Sequence, residues 1–320
     1  MPVSNDSAHP VPRTSFDGPT LTFDLPSVSV GVAEYEEGPT GCTVIAFDQP
    51  VLCAVDMRGG SPGFFREHAR PDAICLAGGS IYGIEAAMGV QTEILAQREH
   101  VVTWNTLANV TAGIIWDFGP RDNTIYPDKV LGRAAHRAAV AGRFPQGARG
   151  AGRSASVGGM KWKPEPSGQG GAFLESGAIK MAVFTVVNAG GAVVDRSGSV
   201  VRGNLDPETG RRSHSLEIVR SGLAAPETQK GNSTLTIAVT NCRLNLASLR
   251  QLGRQVHSSM ARAIQPFHCV TDGDILWMVT TNEVDVEDAF GANLAEPLAV
   301  MSLGVLLAEV AWDAVLASVL

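Results

Sequence analysis

Alternation of apolar and polar residues is the clearest pattern in the last third of the chain. From Leu235 to Thr240, large apolar residues alternate with smaller or polar ones, which predicts a strand with one face in the core. Other short apolar runs, bounded by glycine and proline turns, predict strands at 28–32, 43–47, 181–187, 192–194 and 275–280. Between two of these runs, Asn188-Ala189-Gly190-Gly191 predicts a hairpin turn.

A helical spacing of apolar residues follows the 235–240 strand. They recur from Leu249 to Ile264 at intervals of three and four, Asn245 is suited to cap the start, and Pro266 ends the pattern. Further helices are predicted at 81–88, 127–140 and 297–319, the last with a proline in its first turn. Because strands and helices alternate in blocks, the pattern favours a layered α/β sandwich. We assign 21–320 to one domain and the polar residues 1–20 to a flexible arm.

Composition and charge fit a folded, enzyme-sized protein. The chain has 320 residues, 44% of them hydrophobic and 18% charged, and a net charge of −7 with no basic stripe, which argues against a nucleic-acid partner. The apolar tract 298–307 is interrupted by Glu309 and Asp313 before it reaches the roughly 20 residues that span a bilayer. The first twenty residues lack the pattern of a secretion signal, so we expect a cytoplasmic protein without a membrane partner.

Common cofactor and nucleophile motifs are missing from the sequence. The five cysteines are odd in number and show no C-x-x-C spacing, which argues against disulfides and a zinc site. Gly78-Gly79-Ser80 lacks the lysine of a phosphate loop, and Tyr82 replaces the second glycine of a serine-hydrolase elbow. We therefore predict no metal and no organic cofactor.

Two short polar segments stand near predicted strands. Gly231-Asn232-Ser233-Thr234 opens the 235–240 strand, and by pattern alone it is a turn entering a strand. Asp272-Gly273-Asp274 precedes the 275–280 strand and by itself is typical of a turn or a weak cation loop.

Several ordered blocks give these segments another meaning. They span 35–41, 73–79, 126–129, 144–147, 231–234, 255–260 and 264–268. In this order the blocks resemble the nylon-oligomer hydrolases, also called 6-aminohexanoate-oligomer hydrolases, which belong with the β-aminopeptidases of the DmpA type. The resemblance runs from about residue 22 to the C-terminus.

The resemblance implies a precursor that cleaves itself before a serine or threonine, which is the Asn232–Ser233 bond in this chain. It implies an α-subunit of residues 1–232 and a β-subunit of residues 233–320, assembled as a homotetramer of αβ units. The implied fold is a four-layer αββα sandwich of the DmpA/ornithine-acetyltransferase-like type, with the nucleophile at the start of a central strand. The independently predicted strand at 235–240 agrees with that placement.

The chemistry implied is that of a nucleophile that carries its own base. A serine hydroxyl reacts poorly without a base beside it, and a free α-amino group, with a pKa of about 8, is such a base near neutral pH. Cleavage would place that amine on Ser233 itself. The resemblance assigns Asp272 and Asp274 to holding the new terminus and Asn188 to donating to the oxyanion on the substrate.

Two positions depart from the family pattern. The family's active-site lysine falls at Gly159 here, and Lys161 is the nearest lysine, so either Lys161 replaces it or the charge is missing. Trp116 stands where the family often has a tyrosine; it keeps an N–H donor, loses a hydroxyl, and is expected in the substrate pocket.

The resemblance implies a hydrolase that cleaves small linear oligoamides, such as 6-aminohexanoate oligomers, through an acyl-enzyme. An aminopeptidase acting on β- or L-residues uses the same mechanism and would release single amino acids from a peptide. Acyl transfer to an amine is a third possibility, and an uncleaved, inactive homologue that only binds is a fourth.

Overall fold

Two stacked β-sheets form the middle of the protein. The computed structural model describes residues 2–119, 121–222, 231–286, 290 and 294–320. The strands are β1 Thr20–Thr22, β2 Val28–Tyr35, β3 Thr40–Phe47, β4 Leu52–Met57, β5 Phe64–Phe65, β6 Ala73–Ala77, β7 Val110–Ile114, β8 Val140–Ala141, β9 Arg143–Pro145, β10 Ser156–Val157, β11 Glu165–Pro166, β12 Gln169–Ser176, β13 Ile179–Asn188, β14 Ala192–Val194, β15 Val200–Arg202, β16 Ser233–Arg243, β17 Ile264–Gln265 and β18 Ile275–Asp285. The helices are α1 Asn5–Ala8, α2 Ile84–Gln97, α3 Lys129–Arg137, α4 Ser215–Arg220, α5 Leu246–Ser259 and α6 Glu296–Ala317.

The layers follow from where apolar side chains are buried. The first sheet has the order β5-β7-β6-β3-β2-β8 and the second β12-β13-β16-β18-β4. A core that includes Phe184, Ile237 and Trp277 fills the space between the sheets. A second core joins α2 and α3 to the first sheet, and a third joins α5 and α6 to the second sheet. The result is the αββα sandwich that the resemblance implied.

The second sheet is built from both sides of the Asn232–Ser233 bond. β16 pairs antiparallel with β13 and parallel with β18, and β18 pairs antiparallel with β4. β4 and β13 precede the bond, whereas β16 and β18 follow it. Two strands from the C-terminal part therefore lie between strands from the N-terminal part.

The predicted hairpin at 188–191 is wrong. β13 and β14 flank this turn, but β13 pairs with β12 and β16, whereas β14 pairs with β15 and β17 in a separate three-stranded sheet. The turn therefore carries the chain out of the main sheet. Its last glycine lies where a Cβ would be 2.1 Å from the carbonyl oxygen of Pro266, so close backbone packing requires glycine there.

The predicted capping and the final helix are confirmed. The side chain of Asn245 accepts a hydrogen bond from Ser248 N at 2.9 Å and caps α5. α6 is long and apolar enough to cross a membrane by length and composition, with half of its most apolar window buried inside the protein. Because Leu303, Leu307 and Ala311 are fully buried against the second sheet, α6 is a core helix here.

The N-terminal segment, predicted to be a flexible arm, contacts the domain at several points. The side chain of Asn5 donates to Tyr126 O at 3.0 Å and to Asp128 Oδ2 at 2.9 Å. Arg13 forms an antiparallel bridge with Glu34. These bonds hold the segment along the edge of the first sheet.

Candidate active site

Ser233 is the first residue of β16 and is 5% exposed. Asn188, the last residue of β13, is its direct partner across the sheet. On the other side, Asn232 forms a parallel bridge with Asp272, just before β18 begins. Strand register thus brings together four predicted site residues from three distant parts of the chain.

The carbonyl group of Asn232 belongs to the bond that the resemblance predicts to break. The carbonyl oxygen accepts a hydrogen bond from Gly273 N at 2.7 Å, and the backbone N–H of Asn232 donates to Thr271 O at 3.1 Å. These two bonds fix the backbone before and after the Asn232 side chain. Because a donor on a carbonyl oxygen stabilises the negative charge that develops during nucleophilic attack, Gly273 N–H is placed to serve as an oxyanion donor in the predicted cleavage.

Gly273 also lies against the hydroxyl of Ser233, the predicted nucleophile. A Cβ at this position would be 2.7 Å from Ser233 Oγ and 2.5 Å from Ser61 O, closer than real Cβ atoms approach. The absence of a side chain therefore lets the Gly273 backbone reach the scissile carbonyl beside the serine hydroxyl. This explains why a glycine separates the two aspartates.

The two aspartates are 1% exposed, and their hydrogen bonds differ. Asp274 Oδ1 accepts from Thr234 N at 2.7 Å, which fixes the start of β16. Asp272 Oδ2 accepts from Cys269 N at 2.8 Å, while its Oδ1 is buried and has no hydrogen-bond partner among the described residues. Burial, and next the nearby charge of Asp274, raise the pKa of Asp272. An unpaired buried acceptor next to the predicted new terminus is suited to bind the ammonium that cleavage would create.

The half-buried His268, with the buried His257 behind it, supports Asp274. His268 donates its backbone N–H to Asp274 Oδ2 at 3.1 Å, and its Nδ1 lies 2.9 Å from the same oxygen. The ring of His257 lies 4.5 Å from the ring of His268, and its Nδ1 is 2.8 Å from Asp56 Oδ2. Burial lowers the pKa of His257, whereas hydrogen bonds from His257 and Arg58 outweigh burial and lower the pKa of Asp56 to about 2.

Sequence reasoning gave none of the seven histidines a catalytic role, and it missed this network. Both histidines lie in blocks that carried the resemblance, which was the available signal. The contacts make His268 a positioning residue, because it acts on Asp274 and not on the predicted reacting atoms.

Hydrogen bonds at both the oxygen and the nitrogen of its amide group fix the side chain of Asn188. Its Oδ1 accepts from Ser156 N at 3.1 Å, and its Nδ2 donates to Trp116 O at 3.2 Å. An amide nitrogen carries two N–H groups, so one donor remains beyond the bond to Trp116. Because Asn188 lines the cavity next to Asn232, this donor is placed to serve the oxyanion of a substrate.

A cavity of about 520 Å³ opens beside the Asn232–Ser233 bond. Its wall includes two cations, two asparagines, one tryptophan, two prolines and several small residues; the lining is Trp116, Gly119, Ala148, Arg153, Ser154, Ala155, Ser156, Lys163, Pro164, Pro166, Ser167, Asn188, Gly231 and Asn232. Trp116, predicted for the substrate pocket, is on this wall with 42% of its surface exposed. Its ring packs edge-on against Phe118 at 5.4 Å.

The loop that carries Trp116 is anchored by a buried ion pair. Asp117 Oδ1 lies 2.6 Å from Arg121 Nη2, and the two side chains are 0% and 1% exposed. Asp117 also accepts hydrogen bonds from Thr40 Oγ1 at 2.6 Å and Gly79 N at 2.8 Å. Since each oxygen of the carboxylate has a donor, the backbone next to Trp116 is held in one position.

Lys161, a predicted site residue, does not line the cavity. Its Nζ lies 5.2 Å from the ring of Trp162, while Lys163 lines the cavity. Gly159, the position aligned with the family lysine, has a φ of +112°, which L side chains rarely adopt. The loop conformation therefore disfavours a lysine at 159 and places the available charge at Lys163.

Comparison with known proteins places this geometry among amide hydrolases. The model of peptidase family S58 matches residues 21–320. A 6-aminohexanoate-oligomer endohydrolase of Paenarthrobacter ureafaciens is 45% identical over 317 residues, which are 98% of this chain and 89% of that protein. A second endohydrolase of the same name, from Kocuria sp., is 45% identical over 96% of this chain and 88% of its own length.

Solved structures share the fold at low sequence identity. A β-aminopeptidase of Burkholderia sp. has a TM-score of 0.62 at 18% identity and covers 96% of this chain and 88% of its own. The L-aminopeptidase D-Ala-esterase/amidase of Ochrobactrum anthropi, described as a variant of the Ntn hydrolase fold, has a TM-score of 0.66 at 16% identity and covers 95% and 88%.

Proposed function

We propose that this chain, which belongs to peptidase family S58, is a self-cleaving amidase that uses Ser233 to hydrolyse linear oligoamides such as 6-aminohexanoate oligomers. The observation that carries the proposal is the Asn232 carbonyl, bound by Gly273 N–H at 2.7 Å and followed directly by a buried serine at the start of a central strand. The identity of 45% to a 6-aminohexanoate-oligomer endohydrolase over nearly the whole chain supports the substrate class.

Activation begins with attack of Ser233 Oγ on the Asn232 carbonyl carbon. The C–N bond breaks, the amine of Ser233 takes the hydroxyl proton, and an ester joins Asn232 to Ser233 Oγ. Gly273 N–H stabilises the oxyanion of this step. Water then hydrolyses the ester, which leaves a carboxylate on Asn232 and a free amino terminus on Ser233 that Asp272 Oδ1 binds.

Turnover uses the same serine with its new base. The free amine accepts the Ser233 hydroxyl proton as Oγ attacks the substrate amide, and it returns the proton to the departing amine. Asn188 donates to the substrate oxyanion from the cavity wall. Water opens the acyl-enzyme, releases the acid product and restores the hydroxyl.

The processed protein remains one folded unit in this account. β16 and β18 would belong to the β-subunit and would lie between β13 and β4 of the α-subunit, with backbone pairing on both sides. We propose the homotetramer of αβ units as the assembly of the processed form, and light scattering after size-exclusion chromatography tests it.

The substrate assay uses processed protein and a linear 6-aminohexanoate trimer and hexamer, with products identified by mass spectrometry. We expect hydrolysis of internal bonds of the hexamer, with Ser233→Ala inactive under the same conditions. Absence of any amide cleavage by fully processed protein would overturn the proposal.

The product pattern separates the alternatives. Release of monomers alone from one end would favour the aminopeptidase. A product joined to an added amine in place of the free acid would favour acyl transfer. Either pattern would contradict endo-type hydrolysis while leaving Ser233 as the nucleophile.

A further inference from the structure

The charged side chains on the cavity wall are both cationic. Arg153 and Lys163 line the cavity, and none of the described lining residues is an aspartate or a glutamate. The whole chain has a net charge of −7, so the charge of this wall opposes that of the protein. A local cationic surface concentrates anionic ligands at that point.

Arg153 is held by a carboxylate behind the wall. Its Nε lies 3.2 Å from Glu34 Oε2, an ion-pair contact without a hydrogen bond, and Glu34, 3% exposed, accepts from Gly150 N at 2.7 Å. The Arg153 side chain is 29% exposed, and neither its Nε nor its Nη groups make a hydrogen bond within the described part of the chain. A guanidinium positioned by a buried carboxylate, with unused donors, is suited to bind a second carboxylate with two hydrogen bonds.

Lys163 adds a charge that no described acidic side chain compensates, since the described ion pairs leave it out. It lies beside Pro164 on the cavity wall, whereas Asp272 and Asp274 are not lining residues and accept hydrogen bonds from the backbone. Apart from Asn188 and Asn232, the remaining wall is apolar or small, including Trp116 and Pro166, and suits an aliphatic chain.

We propose that the cavity wall formed by Arg153 and Lys163 binds the free carboxylate of a linear substrate, so that the enzyme selects oligoamides by their acidic end. This inference rests on the proposed function and deepens it. The wall has no described acid to bind a substrate ammonium, which an aminopeptidase needs. A terminal carboxylate bound here, with the aliphatic chain behind it against Trp116, directs an amide bond further along the oligomer toward Asn188 and Asn232, which precedes Ser233. In the hexamer the cleaved bond is then an internal one at a fixed distance from the acidic end.

The kinetic test compares three forms of the 6-aminohexanoate trimer: the free acid, the C-terminal amide and the N-acetyl acid. We expect the C-terminal amide to lose about 10- to 100-fold in kcat/KM, as expected for loss of charge-assisted hydrogen bonds. N-acetylation should change kcat/KM by less than about threefold, which is no more than the loss of one weak neutral hydrogen bond. Lys163→Met should reduce the preference for the free acid, whereas the matched control Lys161→Met should retain it.

A binding measurement keeps the inference testable apart from catalysis. Hexanoate and hexylammonium are titrated into Ser233→Ala and followed by tryptophan fluorescence. Saturable binding of hexanoate, weakened by Lys163→Met, supports the inference even if no oligoamide is hydrolysed. Equal rates for the free acid and its amide, or binding of hexylammonium alone, would overturn it.

Discussion

The backbone N–H of Gly273 donates a 2.7 Å hydrogen bond to the carbonyl oxygen of Asn232, in a position where any side chain at 273 would strike Ser233 Oγ. The proposed oxyanion donor and the proposed nucleophile therefore meet at one peptide bond. They lie at the ends of different strands, so strand pairing in the sheet assembles the proposed self-cleavage site.

Gly273→Ala should slow self-cleavage by about 100-fold, because the added Cβ displaces Ser233 Oγ or Ser61, and small displacements of reacting groups cost rates of this order. The rate is measured from the appearance of the two fragments on denaturing gels. In Gly231→Ala, the nearest heavy atom to the new Cβ is 3.9 Å away, so this control should slow cleavage much less. Equal rates in the two variants would contradict the steric account.

Asn188→Asp should reduce kcat for amide hydrolysis by about 10²- to 10³-fold, because the carboxylate keeps the acceptor for Ser156 N but loses the N–H donor to the oxyanion. KM should change far less than kcat. Circular dichroism checks that the fold is retained. A variant with wild-type kcat would remove Asn188 from the oxyanion site.

Stability should fall as the pH drops below about 6.5, the ordinary pKa of histidine. Burial lowers the pKa of His257 in the folded protein, so the unfolded state binds a proton at higher pH than the folded state does. Acidification therefore stabilises the unfolded state relative to the folded state. The groups that face His257 are Asp56, which holds its Nδ1, and His268 and Asp274, whose charges also act on it.

Thermal unfolding between pH 7.5 and 5.5 measures this effect. The drop in melting temperature should be smaller in His257→Gln than in wild type, and unchanged in a variant of the exposed His100. An identical drop in His257→Gln would show that His257 does not drive the acid sensitivity.

Asp117→Asn should destabilise the protein by about 3–5 kcal/mol, because it leaves the buried guanidinium of Arg121 without its counter-ion. The matched control is Asp285→Asn, which breaks an exposed pair with Arg243 and should cost less than about 1 kcal/mol. Both are measured by urea unfolding in a Ser233→Ala background, so that the covalent state is the same. Similar values for the two variants would contradict the role given to the buried pair.

Local sequence signals predicted much of the sandwich. The alternation that begins at Leu235 belongs to β16, and the Asn245 cap begins α5, because both depend on residues near in sequence. The resemblance then supplied Asn188, Ser233 and Asp272, which strand register brings together.

Features that depend on distant contacts were missed. Asp56 and His257 are 201 positions apart, and no periodicity joins them. The turn after Asn188 has hairpin residues, but turn chemistry does not decide which sheet receives the next strand. The sequence indicates Lys161 because it is the lysine nearest to Gly159, whereas the folded loop places Lys163 on the cavity wall.

Self-cleavage by Ser233 is tested most directly by the intact mass of purified protein under denaturing conditions, for wild type and for Ser233→Ala, with Ser233→Thr as a variant that keeps a hydroxyl nucleophile. We expect fragments of residues 1–232 and 233–320 in wild type and in Ser233→Thr, and a single full-length mass in Ser233→Ala. A full-length wild-type mass after prolonged incubation, or fragments in Ser233→Ala, would contradict self-cleavage by Ser233.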